Sequence, residues 1–195
     1  MKAAALVLTT ALLTACATAT PPPQENFYRL GDPTPTQQET HLDGSLRVGL
    51  LRAGGLYADR PMLYSDDAHG LRLRQYHYHQ WVESPPALLA DYMAAWLSAA
   101  QVATHVIGPE GPAGDYELEG RVVRMERRMQ GTAISVRLEL ALELVQRGQL
   151  MMSGNYGSEV VVADAMLETS VRGYQQALDE ILARFSEDLA EIQGR

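Results

Sequence analysis

The most constraining feature of this chain is a regular alternation over positions 134–144, in which large aliphatic residues occupy every second position and only Ala141 interrupts the polar residues between them. The aliphatic residues at every second position are Ile134, Val136, Leu138, Leu140, Leu142 and Leu144. Side chains of a β-strand alternate between its two faces, so one face of this segment is expected to be buried. The opposite face carries Arg137, Glu139 and Glu143 and is expected to meet water. The segment therefore predicts a long strand in a sheet that is covered on one side.

Two further strands are predicted beside this one. The middle strand spans Thr132–Gln146, and its neighbours span Tyr116–Arg127 and Leu150–Ala163. Arg147-Gly148-Gln149 is predicted to form a tight hairpin turn between the last two strands. Consecutive strands joined by short turns are antiparallel, so the C-terminal half is expected to contain a three-strand meander.

The N-terminal half is predicted to contain shorter strands. In the first of them Leu46, Val48 and Leu50 occupy alternate positions, which places all three on one face. Gly54 and Gly55 end this strand. The strands predicted in this half are Ser45–Leu51, Pro61–Tyr64, Leu71–His79 and Val102–Ile107, with a turn at residues 66–70.

Two segments have the three- and four-residue spacing of apolar residues that is typical of amphipathic helices. The first is predicted near Pro86–Ala100, with Pro85 or Ser84 as its cap. The second is predicted over Ala165–Ile192, with Asp164 capping its start. The apolar stripe of the first helix consists of Leu88, Leu89, Tyr92, Met93, Trp96 and Leu97.

The order of these elements indicates the fold class. Strands are followed by a helix, one strand, the meander and a long helix, and the sequence contains no internal repeat. Helices packed on one face of a sheet accommodate this order. The expected fold is an α/β (α+β) two-layer sandwich, with a mostly antiparallel sheet and two main helices on one face. Residues 27–195 are expected to form one domain.

The N-terminus has the features of a secretory signal sequence. Lys2 precedes an apolar run from Ala3 to Leu13, and small residues lead to Cys16. This run is about half of the roughly twenty residues that a helix needs to cross a bilayer. Residues 1–15 are therefore predicted to be a signal peptide, and an ordinary signal peptide with an incidental cysteine is the alternative.

The ending Leu13-Thr14-Ala15-Cys16 resembles the lipobox of bacterial lipoproteins. The resemblance implies cleavage before Cys16, diacylglycerol on its sulfur and an N-acyl chain on the new terminus. Residues 16–26 would then be a lipidated cysteine with a tether, in which three consecutive prolines favour an extended spacer. Ala17 stands where an Asp would signal inner-membrane retention in enteric bacteria, so by similarity the outer membrane, facing the periplasm, is expected.

Charge and cysteine content exclude several classes of function. The formal net charge is −8, and becomes −9 once Lys2, the only lysine, is removed with the signal peptide. An acidic chain without a basic cluster argues against binding to nucleic acid or docking on anionic lipid through a basic patch. A single cysteine leaves no intrachain disulfide, cysteine nucleophile or cysteine-based metal site in the domain.

Two neighbouring features are candidates for binding a partner. Trp81, Pro85 and Pro86 form an aromatic and proline corner at the start of the first helix, and the alternative is a structural turn covered by the indole. The helix that follows carries only one charge, Asp91, and presents alanines such as Ala94 and Ala95 opposite its apolar stripe. A surface helix usually shows more charge, so this side is a candidate contact surface. The alternative is that alanine is simply a good helix former on a wet surface.

No catalytic or metal-binding constellation is evident. His77 and His79 are two apart on a predicted strand, which places both on one side, but a third ligand is missing nearby. Ser153 is not part of a nucleophile-elbow motif. The carboxylate pairs are Asp66-Asp67, Glu117/Glu119 and Glu187-Asp188. We therefore expect no enzyme activity, no metal and no cofactor apart from the acyl chains on Cys16.

Five stretches together resemble the auxiliary lipoproteins of bacterial lipid-transport ABC systems, the family that includes the PqiC-like lipoproteins. The resemblance covers most of the mature chain, and Val82 departs mildly from the alanine that many members carry after the tryptophan. The five stretches are the lipobox ending at Cys16, Phe27–Leu30, Leu56–Tyr64, Tyr78–Pro86 and Tyr116–Gly120.

The resemblance implies a non-enzymatic partner of a transporter. Such lipoproteins work with an ABC permease, a cytoplasmic ATPase and a membrane-anchored MCE-domain protein, which together move phospholipid or related apolar molecules between the two membranes. The chain lacks a phosphate-binding loop of its own. Further copies of the chain are an additional partner left open. The alternative function is a stand-alone envelope assembly or structural lipoprotein, similar to LptE-like or TolB-like domains.

Overall fold

The computed structural model describes residues 23–36, 41–67 and 69–193. The signal peptide predicted at 1–15 and the lipidation site Cys16 lie outside these residues. No helix in the described ranges is both long and apolar enough to cross a membrane. The elements in chain order are β1 Asn26–Tyr28, β2 Leu42–Val48, β3 Arg52–Ala53, a 3-10 turn Gly55–Ala58, β4 Pro61–Ser65, β5 Leu73–Trp81, α1 Pro85–Ala99, β6 Ala103–Ile107, β7 Tyr116–Gln130, β8 Ala133–Gln146, β9 Gln149–Val161 and α2 Leu167–Gln193.

Strand β7 is the central strand of one nine-stranded sheet. Strand β8 pairs with it antiparallel from Tyr116 to Gln130, and β9 continues the sheet beyond β8. On the other side of β7, strands β2, β3 and β4 follow one another, all parallel to it. The connection from β3 to β4 is longer than the stretch of β7 beside it, and the 3-10 turn lies in this connection. Strand β6 pairs with β2, β5 pairs with β4, and β1 lies at the edge beside β5.

The sheet is therefore mixed, and the prediction of a mostly antiparallel sheet is wrong. Among the described strands, five of the eight pairings are parallel, and only β4–β5, β7–β8 and β8–β9 are antiparallel. Four of these five parallel pairings join a strand before α1 to a strand after it, and β1–β5 is the exception. Strand β6 then runs along one side of β2 and ends opposite Arg47, while β7 begins on the other side opposite Leu46.

Both helices contribute to one hydrophobic core, as the α+β prediction requires. All six residues of the predicted α1 stripe are buried, and the alternate residues of β8 from Val136 to Leu144 are almost fully buried. The core also contains most of the apolar face of α2. A hydrogen bond of 2.7 Å from the Tyr92 hydroxyl to Asp179 Oδ1 joins the two helices.

Two local predictions differ from the structure. Helix α1 begins at Pro85, so Pro85 is its first residue rather than its cap. The cap is Ser84, whose carbonyl accepts from the N–H groups of Ala87 and Leu88. Leu50 is 59% exposed rather than buried with Leu46, because β2 ends at Val48 and the chain changes direction there.

The predicted hairpin turn between the last two strands is confirmed. Arg147 and Gly148 both have positive φ, at 50° and 77°, and Gln146 pairs directly with Gln149. Two central residues with positive φ define the type I′ turn, whose twist matches that of the strands. Helix α2, in contrast, begins at Leu167 rather than Ala165, so Asp164 lies two residues before the cap position, where its carboxylate accepts a hydrogen bond of 2.9 Å from the N–H of Met166.

Gly173 of α2 packs closely against two valine side chains, Val136 of β8 and Val162 after β9. A Cβ added there would lie 2.8 Å from Val162 Cγ1 and 2.9 Å from Val136 Cγ2. Alanine normally stabilises a helix by about 1 kcal/mol relative to glycine. At this site we expect Gly173→Ala to destabilise the protein by about 1–3 kcal/mol, because both valines are stiff and must move.

Urea unfolding of Gly173→Ala measures this effect. Gly108→Ala is the matched control, because a Cβ at Gly108 would meet no atom within 4 Å. The control is expected to stay within about 0.5 kcal/mol of the wild type. A gain in stability for Gly173→Ala would contradict the close packing.

Candidate functional site

The exposed face of α1 lies between two grooves. Asp91 and Ala95 are exposed on this face, and Ala87 and Ala94 are partly exposed. The first groove, of about 610 Å³, lies between α1 and the loop 108–111. The second, of about 430 Å³, lies between α1 and the segment 29–33 that follows β1. We call the helix face and both grooves together the α1 surface.

The first groove combines apolar walls with acidic groups. Leu50, Ala87 and the 108–111 loop line it. Its acidic groups are Glu83, Asp91 and Glu110, and within residues 23–36, 41–67 and 69–193 none of them forms a salt bridge. Partial desolvation, together with the negative charge of Glu110, raises the pKa of Asp91. A cation placed in the groove would relieve this repulsion.

The second groove is formed by the segment 29–33, which follows β1. The N–H of Gly31 donates to Gln175 Oε1 at 3.0 Å, and Gln175 Nε2 donates to the carbonyl of Asp32 at 3.4 Å. These bonds fix the segment to α2, so that it forms a wall facing α1. The lining also includes the apolar side chains of Val82 and Ala95 and the acidic groups Glu83 and Asp91.

The aromatic and proline corner that was predicted as a candidate for binding a partner is buried. It therefore does not contribute exposed side chains to the candidate surface. Trp81 is only 2% exposed, and its ring meets the edge of Tyr174 with centroids 5.5 Å apart. Pro85 and Pro86 are also buried. These three side chains therefore have structural contacts inside the domain. Binding of a partner stays a prediction, and the exposed alanines of α1, Ala95 above all, are the residues accessible to one.

The groove walls were not predicted as functional. The 108–111 segment has the composition of an ordinary loop, and the alternation around Leu46 assigned Leu50 to the core. The exposed apolar side chain of Leu50 and the position of Glu110 depend on where β2 and β6 end. Only the scarcity of charge on α1 could have indicated this surface from the sequence.

The two histidines do not form a metal site with other described residues. His77 is exposed, whereas His79 is partly buried and its Nδ1 is 2.8 Å from the Tyr28 hydroxyl. The register of β5 against β4 shifts between Gln75 and Gln80, so a spacing of two residues does not fix a common face. In the described part of the chain, no three His, Cys, Asp or Glu residues are placed to hold a metal ion.

Several carboxylates of the predicted pairs have structural partners. Asp66 forms salt bridges with Arg72 and Arg74. Glu117 is 2.8 Å from the guanidinium of Arg47 on the adjacent strand. The Tyr156 hydroxyl donates to Asp188 at 2.7 Å. These contacts join elements of the fold. Glu187 and Glu119 are exposed.

Asp67 organises the turn between β4 and β5. Its carboxylate accepts from the N–H groups of Leu71 and Arg72 at 3.0 Å and from the Ser65 hydroxyl at 2.9 Å. These bonds hold the pKa of Asp67 well below its usual range, the backbone N–H groups contributing most. The carboxylate is therefore favoured in the folded state.

This shift predicts a pH dependence of stability. Because the folded-state pKa of Asp67 is depressed, its contribution is fully present well above the unfolded pKa of 3.8. It is lost as the pH falls below that value. We expect Asp67→Asn to be less stable than the wild type at pH 7, and the difference to shrink as the pH falls through about 4. Urea midpoints of both proteins at several pH values measure this, and a difference independent of pH would contradict it.

Comparison with known proteins supports the fold and identifies the family. A crystal structure of a Xanthomonas campestris protein of the DUF330 family has a TM-score of 0.74 at 15% identity, covering 86% of this chain and 95% of that one. A crystal structure of an uncharacterised protein has a TM-score of 0.66 at 16% identity, covering 86% and 99%. At these identities the likeness concerns the fold alone. No curated protein matches the sequence.

The family assignment rests on the sequence itself. A family model described as the ABC-type transport auxiliary lipoprotein component matches residues 28–186. This range runs from the end of β1 into the second half of α2. It therefore includes α1 and the segments 29–33 and 108–111 that form the two grooves beside it. The chain therefore belongs to the family of ABC-type transport auxiliary lipoproteins.

Proposed function

We propose that this protein is a lipid-anchored periplasmic subunit of an MCE-type ABC transporter, which moves phospholipid or related apolar molecules between the inner and outer membranes. The observation that carries the proposal is the α1 surface, two grooves on either side of a helix face that is almost uncharged. The family match supports a role beside an ABC transporter. The protein acts by docking rather than by catalysis.

The α1 surface has the properties of a docking site. Exposed alanines allow the backbone of a partner to approach α1 closely, and Leu50 and Val82 offer apolar contacts beside the helix. The first groove contains the acidic groups Glu83, Asp91 and Glu110, which favour a partner with positive charge. We infer that the MCE-domain protein presents an apolar segment with arginine or lysine to this surface, since opposite charges steer and align partners.

The anchor is the acyl chains on Cys16. Each CH₂ buried in the bilayer contributes about 0.8 kcal/mol, and more than one chain is needed for stable anchoring. Diacylglycerol together with an N-acyl chain satisfies this requirement. The proline-rich tether spaces the domain from the membrane, which we propose to be the outer membrane. No other cofactor and no metal are part of the proposal.

Site-specific photo-crosslinking in intact envelopes tests the proposal. A photoreactive amino acid replaces Ala95 in the full lipoprotein, and a second chain carries it at exposed Gln176 on α2 as a control. The expected result is a crosslink from position 95 to the MCE-domain protein and none from position 176. Recovery of the lipoprotein without any MCE-domain protein would contradict the proposal and favour a stand-alone envelope lipoprotein.

Removing the lipidation site should separate anchoring from folding. Cys16→Ser is expected to release the protein into the soluble periplasmic fraction, because the thiol that takes the lipid is gone. The urea midpoint of the domain should not change. Envelope fractionation and complementation of the transport defect measure the effect. Full complementation by the soluble form would show that the anchor is dispensable.

A further inference from the structure

At one end of the sheet, paired residues of five neighbouring strands form a single row across the strands. Ser65 of β4 pairs with Leu73 of β5 and with Arg128 of β7. Arg128 pairs with Ser135 of β8, which pairs with Val161 of β9. Beyond this row lie the turn after β4, the hairpin tip between β7 and β8, and the segment before α2. We call these three segments together the strand-end face.

The strand-end face exposes several large apolar side chains. Leu71 is 87% exposed, Val161 76% and Met166 56%. Among the large apolar residues that the structure describes, only Leu150 and Leu50, which lie elsewhere, have comparable exposure. The hairpin tip Met129–Ile134 extends beyond the row and carries no charged residue. Leu71 thus lies on the turn after β4, Met166 on the segment before α2 and Val161 at the end of β9, while the hairpin tip contributes uncharged residues.

Many charged groups near this face are already satisfied within it. Asp66 pairs with Arg72 and Arg74, and Arg128 pairs with Glu159. The carboxylate of Asp67 accepts backbone N–H groups of its own turn. Arg127 is buried, and its guanidinium donates to the Ser170 hydroxyl and the Ala165 carbonyl. Further charged and titratable groups here are His69, Asp164, Glu168 and Arg172. The face therefore has exposed apolar side chains and no strong net charge of either sign, so its binding to lipid would depend on buried apolar area rather than on attraction to anionic headgroups.

The chain from the anchor approaches this same face. Strand β1 runs parallel to β5, so the residues before Asn26 lead back toward the strand-end face. Phe27 lies opposite Gln80 of β5, and Gln80 pairs with Pro61 of β4. Pro61 is four residues before Ser65, so Phe27 lies about 13 Å from the row, measured along the strands. The hairpin tip extends about 7 Å further, from Arg128 to Gln130.

The tether is long enough to let this face touch the membrane. Nine residues separate Cys16 from Asn26, and a chain of nine residues is about 28 Å long at the rise of a polyproline II helix. This reach exceeds the roughly 20 Å between β1 and the hairpin tip. A lipid on Cys16 can therefore lie in a bilayer that also contacts the tip.

We propose that the strand-end face lies against the bilayer that holds the acyl chains of Cys16. Leu71, Val161 and Met166 then contact the boundary between headgroups and acyl chains. The inference rests on the lipid anchor of the proposed function. Helix α1 runs away from this face toward the opposite end of β7, which leaves the α1 surface free for a protein partner.

Single-cysteine labelling tests the orientation. Cys16 is the only cysteine, and its sulfur is occupied once lipidated, so an introduced cysteine is the only reactive thiol. An environment-sensitive fluorophore is attached to Leu71→Cys, Val161→Cys or Met166→Cys in the full lipoprotein, reconstituted in phosphatidylcholine vesicles. Leu150→Cys, exposed beside the turn at the other end of the meander, is the matched control.

The expected result is a blue shift and about twofold stronger quenching by spin-labelled lipid at the three strand-end positions than at position 150. Equal quenching at all positions, or stronger quenching at 150, would overturn the inference. A blue shift without quenching by lipid would indicate contact with protein and would also overturn it. Flotation of the vesicles tests the lipid anchor separately. A chain that does not float with the vesicles contradicts the anchor and therefore also the orientation. A chain that floats but shows equal quenching at all positions contradicts only the orientation.

Discussion

Replacing Trp81 by alanine is expected to lower the free energy of unfolding by about 3–5 kcal/mol. Trp81 is buried at the end of β5, and its ring contacts Tyr174 of α2 edge-on. Its carbonyl also accepts a hydrogen bond of 3.0 Å from Arg60 Nε. The substitution removes the largest side chain between β5 and the helices and leaves a cavity that the surrounding strands cannot fill. Urea unfolding of the full domain measures the loss.

The conservative variant separates packing from docking. Trp81→Phe keeps an aromatic ring against Tyr174 and is expected to cost less than the alanine variant. If Trp81 acts only within the fold, the amount of partner that each variant captures should be proportional to the fraction of that variant that is folded. A fully stable Trp81→Phe protein that no longer captures the partner would contradict this role and return Trp81 to the docking surface.

The sequence predicted the local elements of this fold well. The alternation from Ile134 to Leu144 defines β8, and the helical stripe ending at Leu97 defines α1, because burial of one face imposes a period on the sequence. The turn at Arg147 and Gly148 was predictable from a local signal as well, since glycine adopts positive φ without steric cost. Each of these features is encoded within a short stretch of chain.

Pairings between distant strands were not predictable in the same way. Leu46 and Tyr116 are seventy residues apart, yet they are paired neighbours in the sheet. Nothing in either segment specifies that β2, β3 and β4 share one side of β7. The direction of these pairs is set by how far α1 carries the chain, so the parallel character of the sheet follows from tertiary packing.

The candidate site was predictable only in part, for the same reason. The neutral side of α1, with Ala94 and Ala95, follows from composition at helical spacing. The grooves beside it are made by residues 29–33 and 108–111, which meet α1 only after folding. Trp81 illustrates the converse, because an aromatic beside prolines has the same sequence signature whether it is buried or exposed.

Ala95→Arg is expected to reduce capture of the MCE-domain protein by at least about tenfold while the domain stays folded. Ala95 is exposed on α1 and lines the groove beside the 29–33 segment. An arginine there adds bulk where a partner backbone would approach. It also places a positive charge where the acidic groove residues favour a basic partner. The matched control is Gln176→Arg on α2, which adds the same charge at an exposed helix position and keeps a partner in Glu180.

The decisive comparison uses both variants at equal stability. Arginine is a good helix former, so each variant should unfold within about 0.5 kcal/mol of the wild type. Capture is measured as the amount of MCE-domain protein recovered with the full lipoprotein from solubilised envelopes, at low and moderate salt. Reduced capture for Ala95→Arg, with the control unchanged, assigns the α1 surface to the transporter. Undiminished capture by a folded Ala95→Arg protein would exclude this surface, because an interface that buries Ala95 has no room for the arginine side chain.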